Sequence, residues 1–453
     1  LKETTVSSMD INKRTLFISY NGAMEPVLKS QGIPYLHGLY KKDFEITLLT
    51  YEKKGDLKKK EEIKKMNDTL RDAGIKWYYL TYHKNPSFIA TAFDLFVGLI
   101  YSSFLVLKEG IKIVHARGAT PSVIAYALKK LFRIKFIFDM RGFLADEYAS
   151  GEIWKKNDFK YKLVKWFERL FLKSADHIVV LTEAHYHINR NLPYLSGDNK
   201  SMTVIPCCVD LDRFKPLPHN LSDKFTPLES PAIYGGDDID PLRKSVSNGV
   251  NKVLIPCRKG GVKAPSFLRG FTFLYLGAIS PWYMVEEMLD FFLTAKTKIP
   301  NAHFVFLTQS DFNPIKKILN KKNIEPEFIT FVRLPHEEVH KFIPLVKAGI
   351  FFDKPFKRLG SSPIKFGEFL ACGIPVIINY GMGDTEKIVK ENRVGVVVDE
   401  FSEERYIKAV NDLKDLMREN DLKNRCRKTA KQYLSLDSGI EKYFDIYNSL
   451  VGK

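Results

Sequence analysis

Cysteine is scarce and unpatterned. Cys207, Cys208, Cys257, Cys372 and Cys426 form no C-x-x-C pair and leave an odd count, which argues against a disulfide framework and for a reducing, cytoplasmic setting. The adjacent Cys207 and Cys208 read as packing residues, and no metal site is expected. The first predicted strand is not followed by a G-x-G-x-x-G fingerprint, which speaks against a nicotinamide enzyme. No apolar run is long and clean: the longest, Phe88 to Leu107, contains Asp94 and several polar residues. It reads as a core helix, since a membrane span needs about 20 consecutive, mostly apolar residues. The N-terminus lacks the apolar core of a signal peptide. Acid is also in deficit, with 53 Asp and Glu against 70 Lys and Arg, for a formal net charge of +17.

That surplus favours an anionic partner without choosing between nucleic acid, membrane and phosphorylated substrate. The charge is dispersed and no recognition motif accompanies it, so nucleic acid is not expected. The richest basic run interleaves Lys155, Lys156, Lys160, Lys162, Lys165, Arg169 and Lys173 with Phe159, Leu163, Trp166, Phe167, Leu170 and Phe171. Apolar residues spaced by three and four mark an amphipathic helix with a cationic face. Such a helix packs on a sheet or lies on an anionic membrane, and peripheral contact with the inner membrane face is the second of these readings.

What is present in quantity is alternating structure. A chain of 453 residues, 45% hydrophobic and 13% aromatic, has enough apolar surface for two cores. Strand-like runs at Thr15 to Tyr20, Glu45 to Tyr51, Lys76 to Tyr82, Lys112 to Ala116, Lys135 to Asp139, His177 to Leu181 and Thr203 to Pro206 are separated by helical periods. A second series follows at Thr272 to Leu276, His303 to Leu307, Phe328 to Val332, Ala348 to Phe352, Val376 to Ile378 and Gly395 to Val398. The fold class is therefore α/β, with two Rossmann-like doubly wound domains facing a cleft. The boundaries fall at 1–216 for the first domain and 270–435 for the second, with the C-terminal helix 436–453 packing back on the first. The stretch 217–269 is rich in Pro, Gly, Ser and Asp and reads as an insertion or extended linker.

Ligands of open α/β sheets bind beyond the carboxyl ends of the strands. After the first strand comes Gly22, which permits close backbone approach to a ligand. After the fourth and fifth come His115-Ala116-Arg117-Gly118 and Asp139-Met140-Arg141-Gly142, with Asp146 and Glu147 close behind. Arg117 and Arg141 suit an anionic or hydroxylated acceptor, and Asp139, Asp146 or Glu147 could take a proton from a nucleophilic hydroxyl. The alternative is that these charges pair with one another. After the first strand of the second domain, Gly277 could admit a diphosphate, with Trp282 or Tyr283 packing on a flat group.

The segment from Ser361 to Ile378 is the most informative. Ser362 is a good N-cap, Pro363 fits the first helical position, and Gly373 with Pro375 stops the helix before a buried strand. Lys365 stands where a capping-box acid would be, opposing the helix dipole. A phosphate on the backbone N–H groups of Ser361 to Ile364, with Lys365 as counter-charge, resolves the conflict. Glu368, one turn on, could accept from a sugar's hydroxyls. The alternative is a capped helix whose lysine points to solvent.

Together these motifs resemble glycosyltransferase family 4, the group 1 glycosyl transferases of GT-B architecture. Lys173-Ser174-Ala175-Asp176-His177-Ile178-Val179-Val180-Leu181-Thr182-Glu183 is similar to the family's sixth-strand signature. Val204-Ile205-Pro206-Cys207-Cys208-Val209-Asp210-Leu211-Asp212-Arg213-Phe214 resembles its "IPNGVD…F" close of the first domain. The segment from Ser362 to Val376 resembles its "S-P-x-K-x-x-E-x-x-A-x-G-x-P-V" pattern, which places donor diphosphate at Lys365 and nucleotide ribose at Glu368. Gly381, Gly383, Asp384 and Glu386 resemble the donor-sugar loop. Three departures stand out: the first acid of the familiar pattern falls on Gly360, its diphosphate-binding Arg and Lys fall on Ala278 and Tyr283, and Asp139-Met140-Arg141 occupies the neighbourhood of its acceptor-side histidine.

The resemblance implies a retaining, metal-independent hexosyltransferase using a nucleotide-diphosphate sugar as co-substrate, with no cofactor, and a glycan or lipid-linked acceptor in surface polysaccharide or glycolipid synthesis. Taken with the strand-end reading, Asp139, Arg141 and Lys365 are expected at the chemistry. Gly22, Gly277, Tyr283, Ser361, Ser362, Lys365, Glu368, Gly383 and Asp384 fall to the donor, and His115, Arg117, Asp146 and Glu147 to the acceptor. A nucleotide-sugar 2-epimerase of the same fold and a non-catalytic sugar or nucleotide binder are the alternatives.

Overall fold

Each sheet has near its centre a strand buried along five of its six residues. In the computed structural model, which describes residues 11–195, 200–217, 232–235, 270–280, 282–354 and 360–452, the chain divides into two units, 1–208 with 436–453 and 209–435. The expected first-domain end at 216 thus lies eight residues beyond the division, and nearly all of the predicted insertion lies outside the described residues.

The first unit holds β1 (Arg14–Ser19), β2 (Glu45–Lys53), β3 (Ile75–Tyr82), β4 (Ile113–Arg117), β5 (Lys135–Asp139), β6 (His177–Val180) and β7 (Met202–Val204). Their order is β3-β2-β1-β4-β5-β6-β7, every pair parallel. In β1, Thr15 to Ser19 are all buried, as expected of a central parallel strand covered on both faces. The strand order reverses between β1 and β4, so Tyr20 and Gly118 stand at the switch point where such sheets bind ligands. Helix Leu436–Val451 packs on this unit. Tyr443, Ile446, Tyr447 and Leu450 join the apolar cluster of Phe17, Leu36 and Phe44, with the Phe44 and Tyr447 rings edge to face at 5.2 Å.

The second unit holds β8 (Ala232–Gly235), β9 (Phe271–Leu276), β10 (Ala302–Leu307), β11 (Ile329–Arg333), β12 (Ala348–Phe351), β13 (Val376–Asn379) and β14 (Gly395–Val398), in the order β14-β13-β12-β9-β10-β11-β8. Six strands are parallel, and β8 adds an antiparallel edge on β11 that the sequence pattern does not announce. This sheet reverses between β9 and β12, which sets Gly277 and Phe352 side by side at the second switch point.

One expectation is overturned. Helix Ser87–Glu109 is not a core helix: its buried residues are Ala90, Asp94, Gly98, Ser102, Leu105 and Val106, while its bulky apolar residues face outward. Tyr51 explains the small inner face, because a β-carbon on Gly98 would stand 1.9 Å from Tyr51 Oη.

Candidate functional site

Helix Ile364–Ala371 begins one residue later than its sequence suggests. Pro363, at φ −70° and ψ 121°, is the cap, and Ser362 lies outside it. Every residue from Lys365 to Ala371 is buried, because the helix is covered by helix Leu422–Leu434 as well as by its sheet. A solvent-pointing lysine is thereby excluded: Lys365 is 6% exposed.

The lysine runs into an aromatic box. Its ammonium lies 4.1 Å from the ring centre of Tyr283, 4.6 Å from Tyr275 and 5.6 Å from Phe351. Nζ has no hydrogen-bond partner among the described residues. Ring faces attract a cation, but they do not satisfy three N–H donors. The turn after β9 comes close on the remaining side. Gly277 has φ +128°, and a β-carbon there would stand 3.0 Å from Nζ. The backbone angle calls for glycine, and a side chain there would press on the ammonium.

Glu368 is 3% exposed. Burial lifts its carboxyl to about 7 against the opposing pull of Arg213 and Lys365. His336 Nε2 stands 3.9 Å from Glu368 Oε1, and the His336 carbonyl accepts from Arg213 Nη2 at 2.7 Å. Beneath the helix start, Ser361 Oγ donates to Asp353 Oδ2 at 3.0 Å, and Asn379 clamps the Asp353 backbone through both its N–H and its carbonyl. Asp353 is fully buried, and its Oδ1 has no partner among the described residues. The Gly381–Gly383 turn takes positive φ at both glycines, and the Glu386 carboxylate accepts from the Gly381 N–H. Asp384 caps helix Thr385–Asn392 by position.

In the first unit the polar residues after β4 and β5 converge on Asp139, which has no exposure. Arg141 Nη1 lies 3.2 Å from its Oδ1, and Arg117 Nη1 lies 3.5 Å from its Oδ2. Tyr443 Oη donates to Oδ2 at 3.3 Å, and His115 Nε2 stands 3.6 Å away. Despite its burial, the facing guanidinium of Arg141, then His115 and Arg117, hold the Asp139 carboxyl well below the usual carboxylate range. Burial pushes His115 down, so it is neutral near pH 7, with Nδ1 2.7 Å from Tyr447 Oη. Gln31 Oε1 closes the group, accepting from Arg117, Arg141 and Cys207 at 3.1, 3.1 and 3.0 Å.

Two family profiles match the chain: Glycosyltransferase Family 4 over residues 35–213 and Glycosyl transferases group 1 over residues 263–433. The chain belongs to the group 1, family 4 glycosyltransferases. Its fold is that of sucrose-phosphate synthase from Thermosynechococcus elongatus, at TM-score 0.67 and 14% identity over 97% of this chain and 99% of that one. A glycosyltransferase from Rickettsia africae aligns at TM-score 0.64 and 15% identity, covering 97% and 98%. Anabaena HepE, solved with UDP and glucose, aligns at TM-score 0.63 and 11% identity, covering 96% and 99%. No curated protein sequence matches.

In this glycosyltransferase, Gly277, Tyr283, Ser361, Lys365 and Glu368 come together in the second unit. Gly22 has company that sequence reasoning missed. The buried Glu52 carboxylate, from β2, accepts from the Ala23 N–H at 2.6 Å, the Met24 N–H at 3.4 Å and Thr50 Oγ1 at 2.6 Å, and a β-carbon on Gly22 would stand 2.3 Å from its Oε2. The loop after β1 is thus held on a protein carboxylate. Glu52→Ala is expected to lower unfolding free energy by about 2 kcal/mol, read by denaturant titration, since it strands buried donors. Asp146 accepts from Tyr161 at 2.8 Å and Lys165 at 3.0 Å, and Glu147 accepts from the Phe143 N–H at 3.1 Å. Asp146 thus ties helix Leu144–Ser150 to helix Phe159–Ser174, and Glu147 braces the turn that precedes its own helix. Gln31, Tyr443 and Tyr447 carry no sequence signal, because the apolar neighbours that make each look like packing are local while its polar partner is more than 80 residues away.

Proposed function

We propose that this protein is a retaining, metal-independent glycosyltransferase that moves a hexose from a nucleotide-diphosphate sugar to a hydroxyl of a glycan or lipid-linked acceptor, in surface polysaccharide or glycolipid synthesis. The observation that carries the reading is the Lys365 ammonium, buried beside Gly277 at a helix start with no hydrogen-bond partner among the described residues. A buried ammonium whose N–H donors are unsatisfied is costly, and the first-turn N–H groups beside it have no intrahelical acceptor. A diphosphate would supply acceptors to both. When the bond from the anomeric carbon to the diphosphate breaks, its electron pair goes to the phosphate oxygen, the acceptor hydroxyl oxygen bonds to the same carbon, and the hydroxyl proton passes to the departing diphosphate. Lys365 and the first turn would stabilise the charge that grows there. Glu368, a turn farther along the same helix, would accept from the ribose hydroxyls.

Asp139 is a weak base where it stands, and its role on the acceptor side is to hold the guanidiniums of Arg117 and Arg141 in place. HepE was solved with UDP and with UDP-glucose, which makes UDP the first nucleotide to test. A thermal-shift screen of nucleoside diphosphates is expected to give one clear stabiliser, and no stabilisation by any of them would remove the reading.

The Glu368 carboxyl supplies a second test. A group near pKa 7 is mostly ionised at pH 8 and mostly protonated at pH 6. A carboxylate accepts hydroxyl hydrogen bonds better than an acid does, so nucleotide affinity should fall as pH drops, by about tenfold over those two pH units. Glu368→Gln should be weaker at pH 8 and lose most of that pH dependence, leaving only the titration of the nucleotide itself. Parallel pH profiles for both proteins in isothermal calorimetry would show that Glu368 does not touch the nucleotide.

A further inference from the structure

The outer surface of the first unit is built the wrong way round for water. In helix Ser87–Glu109 the inward residues include Ala90, Asp94, Gly98 and Ser102, while Ile89, Phe93, Phe96, Ile100, Phe104 and Leu107 point outward at 53% exposure or more. Steps of four, three, four, four and three residues put the second set in one stripe, roughly 27 Å long at the helical rise. Isolated exposed apolar residues are ordinary, but a continuous stripe marks a binding surface. The helix passes the length and hydropathy test for a membrane span, yet it is fastened to the sheet on its polar side. Asp94 accepts from Tyr20 Oη at 2.9 Å and from the His83 N–H at 3.0 Å, and its backbone carbonyl accepts from Tyr51 Oη at 2.9 Å. It therefore lies along a surface rather than crossing one.

The neighbouring helices say what that surface is. Helix Ala119–Phe132 packs beside it and helix Phe159–Ser174 packs beside that one in turn. They present Leu131, Phe159 and Trp166 to solvent. Across the three helices the exposed charges are Lys108, Lys130, Lys160, Lys162, Arg169 and Lys173. The acids on these helices are turned away: Asp94 and Glu168 are buried, and Glu109, at 12% side-chain exposure, is paired with Lys76 at 2.8 Å. An apolar stripe with aromatic side chains, bordered by cations and no exposed acid, fits the interface of an anionic bilayer. A second copy of this chain would bring the same cations against these, which like-charge repulsion disfavours.

We propose that the face formed by helices Ser87–Glu109, Ala119–Phe132 and Phe159–Ser174 docks on the surface of an anionic phospholipid membrane, with the Phe93 to Leu107 stripe inserted at the headgroup level. The docking is independent of the donor site. The test is cosedimentation of the full chain with phosphatidylcholine vesicles, with and without phosphatidylglycerol, at low and high salt. Binding is expected only with phosphatidylglycerol and should weaken with salt. The double variant Phe96→Ser with Ile100→Ser should bind at least about tenfold more weakly while unfolding at the same temperature or higher. Lys160→Glu with Lys162→Glu should lose about tenfold or more through charge alone. Brominated lipid should quench tryptophan fluorescence in the parent and less in Trp166→Phe. Failure of the parent to sediment with phosphatidylglycerol vesicles, or undiminished binding by Phe96→Ser with Ile100→Ser, overturns the proposal. So does a lipid-free dimer in sedimentation velocity that the same double variant dissolves.

Discussion

Lys365→Met is expected to leave the protein at least as stable as before and nearly inactive. The side chain is buried, its ammonium faces three rings, and no hydrogen-bond partner is present among the described residues. Methionine keeps the length and the ring contacts while removing a buried ammonium whose donors are unsatisfied, a change that typically costs nothing or stabilises. If the same ammonium steadies the departing diphosphate, its loss should reduce transfer by roughly 10²- to 10³-fold, the usual effect of removing one preorganised charge-stabilising donor. Nucleoside diphosphate affinity should fall with it, by at least about tenfold, as expected of a charge-assisted contact. The two signs must be read together. Thermal unfolding at or above the parent temperature with lost binding by calorimetry identifies a site held ready at the expense of stability. Unchanged nucleotide affinity in a stable Lys365→Met protein would instead make the lysine a packing residue and take the diphosphate from this helix.

Asp139→Ala is expected to be the most damaging single change in the first unit. It removes the one acid among the described residues that pairs with Arg117, Arg141 and His115 while leaving two guanidiniums and Tyr443 gathered around its place. Breaking a buried ion pair by removing one partner typically costs about 3–5 kcal/mol, because the remaining charge is left unsolvated. Scanning calorimetry should show unfolding at a markedly lower temperature, and Asp139→Asn should fall between the two because it keeps hydrogen-bonding capacity. The acid limb follows from the same contacts. The folded carboxyl lies below its unfolded value, so its stabilisation is present above the unfolded pKa, about 3.9, and is lost as pH falls below it. The parent should therefore lose stability steeply on acidification, and Asp139→Asn less steeply. A variant with parent-like unfolding would show that the cluster is solvated and that Asp139 is free to act as a base.

The contrast between these two sites shows where pattern reading succeeds. Lys365 could be singled out from sequence because it violates a local rule, a cation in the first turn of a helix, and the tertiary surroundings keep the violation rather than repair it. Asp139 was legible as a charged residue at a strand end that pairs with the neighbouring arginines in one of two readings, but its remaining partners were not. Gln31 and Tyr443, which help complete that network, are far from Asp139 in the chain. Helix Ser87–Glu109 is the converse. Its composition resembles a buried helix, and only the sheet beneath it shows that the small and polar side is the inner one.

Apart from the antiparallel edge β8, the alternation of strands and helices, the parallel character of the sheets and the chemistry-bearing turns after β1, β4, β5 and β9 follow from the chain alone, because period-two and period-3.6 patterns and glycine positions are local properties. Tertiary structure decided which charges meet: that Glu52 holds the Gly22 loop, that Asp139 is enclosed by arginines, and that Lys365 is left without a hydrogen-bond partner among aromatic rings. Such outcomes depend on contacts between residues distant in sequence, and a buried charge takes its character from what surrounds it, which no local pattern records.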